Sequence, residues 1–133
     1  MLGEQIGEET GKVMVRRVIS GDGGTKVEVT VQANGRLLGV EARSNVTYCA
    51  GIRPDGSVYG EGQGLVVGKG GEQATFKGAG AGKLLEGGAV SYRGALYYHS
   101  DSPNFRRLNA IAVVFEYSAD ADGNTKSKAW EWR

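Results

Sequence analysis

Along most of the chain apolar and polar residues alternate one by one, and Val, Thr, Tyr and Phe crowd the apolar positions. A period of two marks a strand with one buried face, whereas a helix would repeat its apolar residues every three to four positions. Turn signals cut these runs at short intervals: GlyAspGlyGly at 21–24, AsnGly at 34–35, ProAspGly at 54–56, LysGlyGly at 69–71, GluGlyGly at 86–88 and AspGly at 122–123. The pattern predicts eight strands, over about 10–19, 25–33, 36–52, 57–68, 72–85, 89–99, 108–118 and 125–132. Only 100–107 differs in character. There SerAspSerProAsnPheArgArg predicts one helical turn, with Ser102 as N-cap and Pro103 at the first helical position. Short-looped antiparallel strands are most economically closed on themselves, because closure removes both exposed edges. The predicted fold class is therefore all-β: one domain over 1–133, an eight-stranded antiparallel up-and-down barrel with minimal helix, a flattened sandwich being the alternative.

Between Gly60 and Gly94 a glycine stands at nearly every second position. Gly78 to Lys83 has a superficial likeness to a phosphate-binding loop. However, three residues separate Gly78 and Gly82 where the motif needs four, Leu84 replaces the required Ser or Thr, and the context is strand to strand. A linker is disfavoured because Val66, Phe76, Leu84 and Tyr92 are spaced at strand periodicity. Pairing arithmetic gives another account. Setting Gly68 opposite Glu72 brings Gly60, Gly62 and Gly64 beside Gly80, Gly78 and Phe76. Setting Leu85 opposite Ala89 brings Gly82, Gly80, Gly78 and Phe76 beside Tyr92, Gly94, Leu96 and Tyr98. Aromatic rings can cover neighbouring glycines in such a sheet, and the glycines imply strong coiling with room left inside.

The last hairpin, registered by Ala121 opposite Asn124, sets Phe115 beside Trp130 and Val113 beside Trp132, since a slip of one residue would mix the faces. One sheet face is then glycine and aromatic. The other is mixed, with Tyr59, Glu61, Gln63, Thr75, Ser91, Arg93, Tyr97, His99, Glu116 and Glu131. Burial of apolar surface favours the aromatic face inside. The lumen would then be a ligand pocket floored by Phe76, Tyr92, Tyr98, Phe115 and Trp130. The reverse choice would put Arg93, Glu61, Gln63 and Glu116 in the lumen and require sister subunits to hide the aromatic exterior. Alanines at 79, 81, 95, 110 and 112 suit close packing, so a homo-oligomer, dimer or trimer, is expected under either choice.

Composition narrows the partners. The 133 residues carry 16 Lys and Arg against 15 Asp and Glu, with the signs mixed, so there is no basic field to draw nucleic acid or an anionic membrane. A single cysteine, Cys49, and a single histidine, His99, offer neither a disulfide framework nor a zinc cluster, and no metal or cofactor is expected. The first residues are acidic without an apolar leader, and no apolar run reaches the roughly eighteen residues of a membrane span. These features lead to the expectation of a soluble cytoplasmic protein, in which the Asn45-Val46-Thr47 sequon plays no part.

Candidate chemistry is sparse. Glu61, Glu116 and Glu131 are possible acids or bases, since a carboxyl in an apolar lumen has its pKa raised toward neutrality. The catalytic candidates are Arg93, which can hold an anionic group or pair with Glu116, together with Glu116 and Glu61. His99 is expected at a barrel mouth, with no nucleophile signature to make a triad. Asp120-Ala-Asp-Gly-Asn124 has calcium-friendly oxygens and Glu131 at the twelfth place, but its glycine stands fourth where a calcium loop has it sixth. A hairpin turn is the better reading.

The segment GlyAlaGlyLysLeuLeuGluGlyGlyAlaValSerTyrArgGlyAla at 80–95, with TyrTyr at 97–98 and ValPheGluTyr at 114–117, resembles barrels of the allene oxide cyclase and dirigent type. Tyr92 and Arg93 correspond to the aromatic-Arg strand of dirigent proteins. The chain departs from them at Leu96-Tyr97, where they carry a second Arg-Gly. The resemblance implies an eight-stranded calycin-like barrel, often a dimer or trimer. Such a barrel binds a small apolar ligand and sometimes steers its cyclisation or coupling without a cofactor. The leading expectation is binding of a small, largely apolar molecule in the lumen. The alternatives are a cofactor-free cyclase or isomerase and a filled barrel with a structural or oligomeric role.

Overall fold

In the computed structural model, which describes Met1–Arg133, the chain forms a closed antiparallel barrel of eight strands in sequence order. They are β1 (Leu2–Ser20), β2 (Thr25–Leu37), β3 (Val40–Ile52), β4 (Ser57–Gly68), β5 (Gln73–Leu84), β6 (Val90–His99), β7 (Val113–Ala119) and β8 (Asn124–Trp132). Closure comes from β1 pairing with β8, so no strand edge is left free. No helix is long and apolar enough to cross a membrane.

The two registers deduced around the glycine-rich strands hold. Gly60, Gly62 and Gly64 pair with Gly80, Gly78 and Phe76, and Gly82, Gly80, Gly78 and Phe76 pair with Tyr92, Gly94, Leu96 and Tyr98. The aromatic face turns inward. Most of its glycines seat a ring or a neighbouring backbone, and Gly60, Gly62, Gly78 and Gly80 also line the open part of the lumen. A Cβ on Gly64 would collide with the Phe76 ring, and one on Gly80 would lie 2.9 Å from Phe115 Cζ. At Gly82 and Gly94 the Cβ position is taken by backbone oxygens of Ser91 and Ala79, the sign of strands coiled tightly past each other.

Three local expectations need correction. Asn34-Gly35 is not a turn but lies within β2, with Asn34 paired to both Thr10 and Arg43. The reversal instead uses Leu38 and Gly39, at φ 49° and 77°, the left-handed pair that a two-residue hairpin of matching twist demands. The first strand begins at Leu2, eight residues before the predicted start, because closing on β8 recruits the chain from there. The third concerns the last hairpin, which is registered one residue away from expectation: Phe115 faces Ala129 and Val114 faces Trp130. The reason is the turn. Asp120 Oδ1 accepts the N–H groups of Asp122 and Asn124 at 2.9 Å each, and Gly123 adopts φ 85°, which makes a three-residue loop of 121–123.

One end of the barrel is closed by a plug. The predicted helical turn extends to a 3₁₀ helix over Pro103–Ala110, so β7 starts at Val113 and not near 108. With three residues per turn, Phe105 and Leu108 fall on one face, and both are fully buried. They join Ile6, Leu37, Val66, Ala74, Phe76, Val113 and Ala129 in the main core. Ser102 does not cap the helix; its Oγ accepts the Gln73 N–H at 3.0 Å and ties the plug to β5. Asn109 and Ser100 exchange two hydrogen bonds of 2.8 Å. Arg107 donates to Glu131 at 3.0 Å and to Glu4 at 3.2 Å, fastening the plug to β8 and β1.

Candidate functional site

Inward-facing residues alternate along every strand, so the lumen composition follows from the registers. Near the end opposite the plug, Tyr48, Tyr92 and Tyr117 meet edge to face or tilted, with ring centroids 5.8–5.9 Å apart. The Tyr48 and Tyr117 hydroxyls lie 3.2 Å from each other. Burial pushes all three phenols up, so they stay neutral hydrogen-bonding groups. A bulge between Val13 and Val15 on β1 resets the pairing so that Arg16 stands opposite Val29, and its charge acts on the Tyr48 and Tyr117 hydroxyls.

Between the tyrosines and the plug is a cavity of about 130 Å³, lined largely by apolar groups that include Leu37, Val46, Phe76, Tyr92, Leu96 and Phe115. Tyr98 packs on Phe76 with centroids 5.2 Å apart and also lines the cavity.

Glu8 and Glu9 both border this chamber, and Glu9 is the one on the inner face. Glu9 shares the inner face of β1 with Gly7 and Gly11, opposite Gly35 and Ser127. Burial raises its pKa, and the nearby Ser44 hydroxyl offsets part of the rise. Hydrogen-bonding geometry between the two is not met, and Glu9 Oε2 and Ser44 Oγ are both buried without a partner within the protein. Glu9 in turn adds to the effect of burial in raising the Tyr98 phenol.

A stability signature follows from the raised carboxyl. Between the unfolded glutamate value of about 4.3 and the higher folded value, the native state binds more protons than the unfolded chain. Stability therefore falls as pH rises through that window and is level above it. Glu9→Gln is expected to remove this slope. In urea titrations from about pH 4 to about pH 8, the variant should gain on the wild type with rising pH, and parallel curves would refute the buried charge.

Of the expected pocket residues, Phe76, Tyr92, Tyr98 and Phe115 line the chamber and Trp130 does not. The one-residue shift of the last hairpin puts Trp130 on the outer face, opposite Gln5 and Val114, and gives the lumen position to Ala129. The expected catalytic residues are outside. Arg93 and Glu116 are cross-strand neighbours forming an exposed ion pair at 3.6 Å, and Glu61 is exposed on β4. Glu131 is not on the outer face; it lies beneath the plug, held by Arg107 and Arg133. His99 is exposed, 3.9 Å from Asp101, at the plugged end, which is no open mouth. Cys49 is free and exposed on β3. Sequence reasoning missed Glu9, Ser44 and Tyr48. The available signal was Gly7-x-Glu9-x-Gly11, one acid alternating with glycines on a face that continues into Val13.

No protein-family model matches the chain, and no curated protein matches it in sequence. Solved structures do share its fold. A protein with unknown function from Clostridium acetobutylicum superposes with a TM-score of 0.84 at 14% identity, covering 98% of each chain. A β-barrel like protein from Acinetobacter baumannii gives 0.81 at 11% identity, over 100% of this chain and 96% of that one. A conserved protein of unknown function from Rhodopseudomonas palustris gives 0.80 at 12%, over 99% of both.

Proposed function

We propose that the barrel binds a small, largely apolar molecule in its lumen. The observation that carries this reading is the chamber of about 130 Å³ between the plug and the tyrosine cluster, walled by Phe76, Leu96, Phe115 and Tyr92. An apolar cavity of about 150 Å³ accommodates benzene, so the scale is that of a single ring. A barrel filled by its own side chains would have no such space, and the resemblance of 80–95 to allene oxide cyclase and dirigent barrels agrees with a ligand-holding lumen.

A second reading, a cofactor-free isomerase or cyclase, is favoured by one feature: the Glu9 carboxyl faces the same chamber as the Tyr98 phenol. A carboxyl with a raised pKa suits proton transfer to or from a bound molecule, whereas Arg93, Glu116 and Glu61 face solvent.

Incubation with a panel of one-ring apolar compounds, followed by native mass spectrometry and identification of the released guest, tests both readings. A stoichiometric adduct, with perturbed resonances for Phe76, Tyr98 and Phe115, is the expected result. A guest released in isomerised form would favour the enzyme. Bare subunits across the whole panel would leave a structural barrel.

A further inference from the structure

A polar group at the closed end of the chamber is free to meet a guest. Tyr98 stands on the inner face of β6, packed on Phe76 beside the core cluster of the plug, and it lines the chamber. Its hydroxyl makes no hydrogen bond within the protein. Glu9 Oε2 and Ser44 Oγ are also unpartnered, but they have no accessible surface; Tyr98 is only half-buried, and its oxygen is not among the sealed atoms. Burial is the larger cause of the raised phenol, so the open surface of this oxygen belongs to the lumen and not to the outside of the barrel. At the other end the Tyr48 and Tyr117 hydroxyls already face each other, and Tyr92 packs against those two rings, roughly 20 Å along β6 from Tyr98.

A phenol both donates and accepts, and this one keeps its proton whatever the charge of Glu9, which only raises it further. A hydrocarbon seated against it would exclude water from the O–H and offer nothing in return, at the cost of a buried unpaired donor. An alcohol would satisfy one O–H and bring another, for which the adjoining Phe76 and Leu96 side chains offer no acceptor. A carbonyl accepts the phenol proton and brings no donor of its own. Resting on the reading of the lumen as a pocket for a small apolar molecule, we infer that its ligand is a one-ring carbonyl compound whose oxygen accepts a hydrogen bond from the Tyr98 hydroxyl. Tyr98 then sets the orientation of the guest, with the carbonyl toward the plug and the ring among Phe76, Leu96 and Phe115.

Cyclohexanone and methylenecyclohexane are suitable probes because they match in shape and differ in an oxygen against a CH₂ group, and cyclohexanol supplies the alcohol. In titrations of the full chain, by calorimetry or by the shifts of Phe76 and Phe115 resonances, Tyr98→Phe is expected to weaken cyclohexanone about fivefold, the worth of one neutral hydrogen bond, and to leave methylenecyclohexane unchanged. Tyr92→Phe should change neither. The C=O stretch of bound cyclohexanone should lie lower in the wild type than in Tyr98→Phe, a signature that a mere packing role would not produce. Methylenecyclohexane binding reports that the variant is folded. Should it not fold, the wild-type stretch decides alone, since a value equal to that of the ketone in a hydrocarbon solvent would overturn the inference. Unchanged cyclohexanone binding in Tyr98→Phe, a loss found in Tyr92→Phe in its place, or tighter wild-type binding of cyclohexanol than of cyclohexanone would overturn it as well, each leaving the apolar pocket intact. Failure of all three probes to bind the wild type would overturn the pocket reading itself.

Discussion

Phe105→Ala is expected to lower folding stability by about 4 kcal/mol, seen as a lower urea midpoint at an unchanged slope. The side chain is fully buried, and its cluster draws on β1, β2, β4, β5, β7 and β8, so truncation opens a void where nearly the whole barrel converges. Phenylalanine-to-alanine changes in cores cost about 3–5 kcal/mol, and this site has little freedom to collapse because the plug is tied at Ser100, Ser102, Asn109 and Arg107. Arg106→Ala, on the exposed side of the same short helix, is the control and should change stability by no more than about 0.5 kcal/mol. A loss below about 1 kcal/mol at Phe105 would mean that the plug opens independently of the barrel.

Gly94→Val is expected to be damaging as well, with a loss of about 3 kcal/mol or more and little soluble folded protein. The cause differs. Nothing is hollowed out; a Cβ at Gly94 would occupy the place of the Ala79 carbonyl oxygen and approach Gly80 Cα to 2.6 Å. Both are backbone atoms of the paired strand, so relief requires β5 and β6 to separate, not a side chain to rotate. Gly21 gives the contrast, since no atom lies within 4 Å of its Cβ position. Gly21→Ala should be neutral or slightly stabilising, through a less flexible unfolded chain. Thermal melts of the two variants side by side make the comparison, and a well-folded Gly94→Val would refute the close coiling of β5 on β6.

The fold was legible in the sequence where turns were unambiguous. LysGlyGly at 69–71 and GluGlyGly at 86–88 fixed the pairing registers of β4, β5 and β6, and with them the seats of Phe76, Tyr92 and Tyr98. The last hairpin was less legible because Asp120 bonds two backbone N–H groups of its own loop and adds one residue to the turn, a side-chain effect that face-matching overrode. That slip alone moved Trp130 from wall to exterior. Similarly, AsnGly at 34–35 carried a turn signal, yet Gly35 serves close packing against Glu8 and Glu9 of β1. Glu9 escaped notice because an acidic, glycine-containing start does not read as a strand until β8 is there to pair with it. Long-range closure, unlike a hairpin, leaves little local trace.

The plug also has a kinetic consequence. With one end of the cylinder stopped by Phe105 and Leu108, a guest of the proposed kind moving along the axis would have to pass the three tyrosines and the apolar residues packed beyond them, Ala50 and Val58 among these. A single door imposes one shared barrier on arrival and departure. Because Tyr48 and Tyr117 also line the chamber, loosening their contact would speed arrival and departure together and shorten the residence of a guest of the proposed kind.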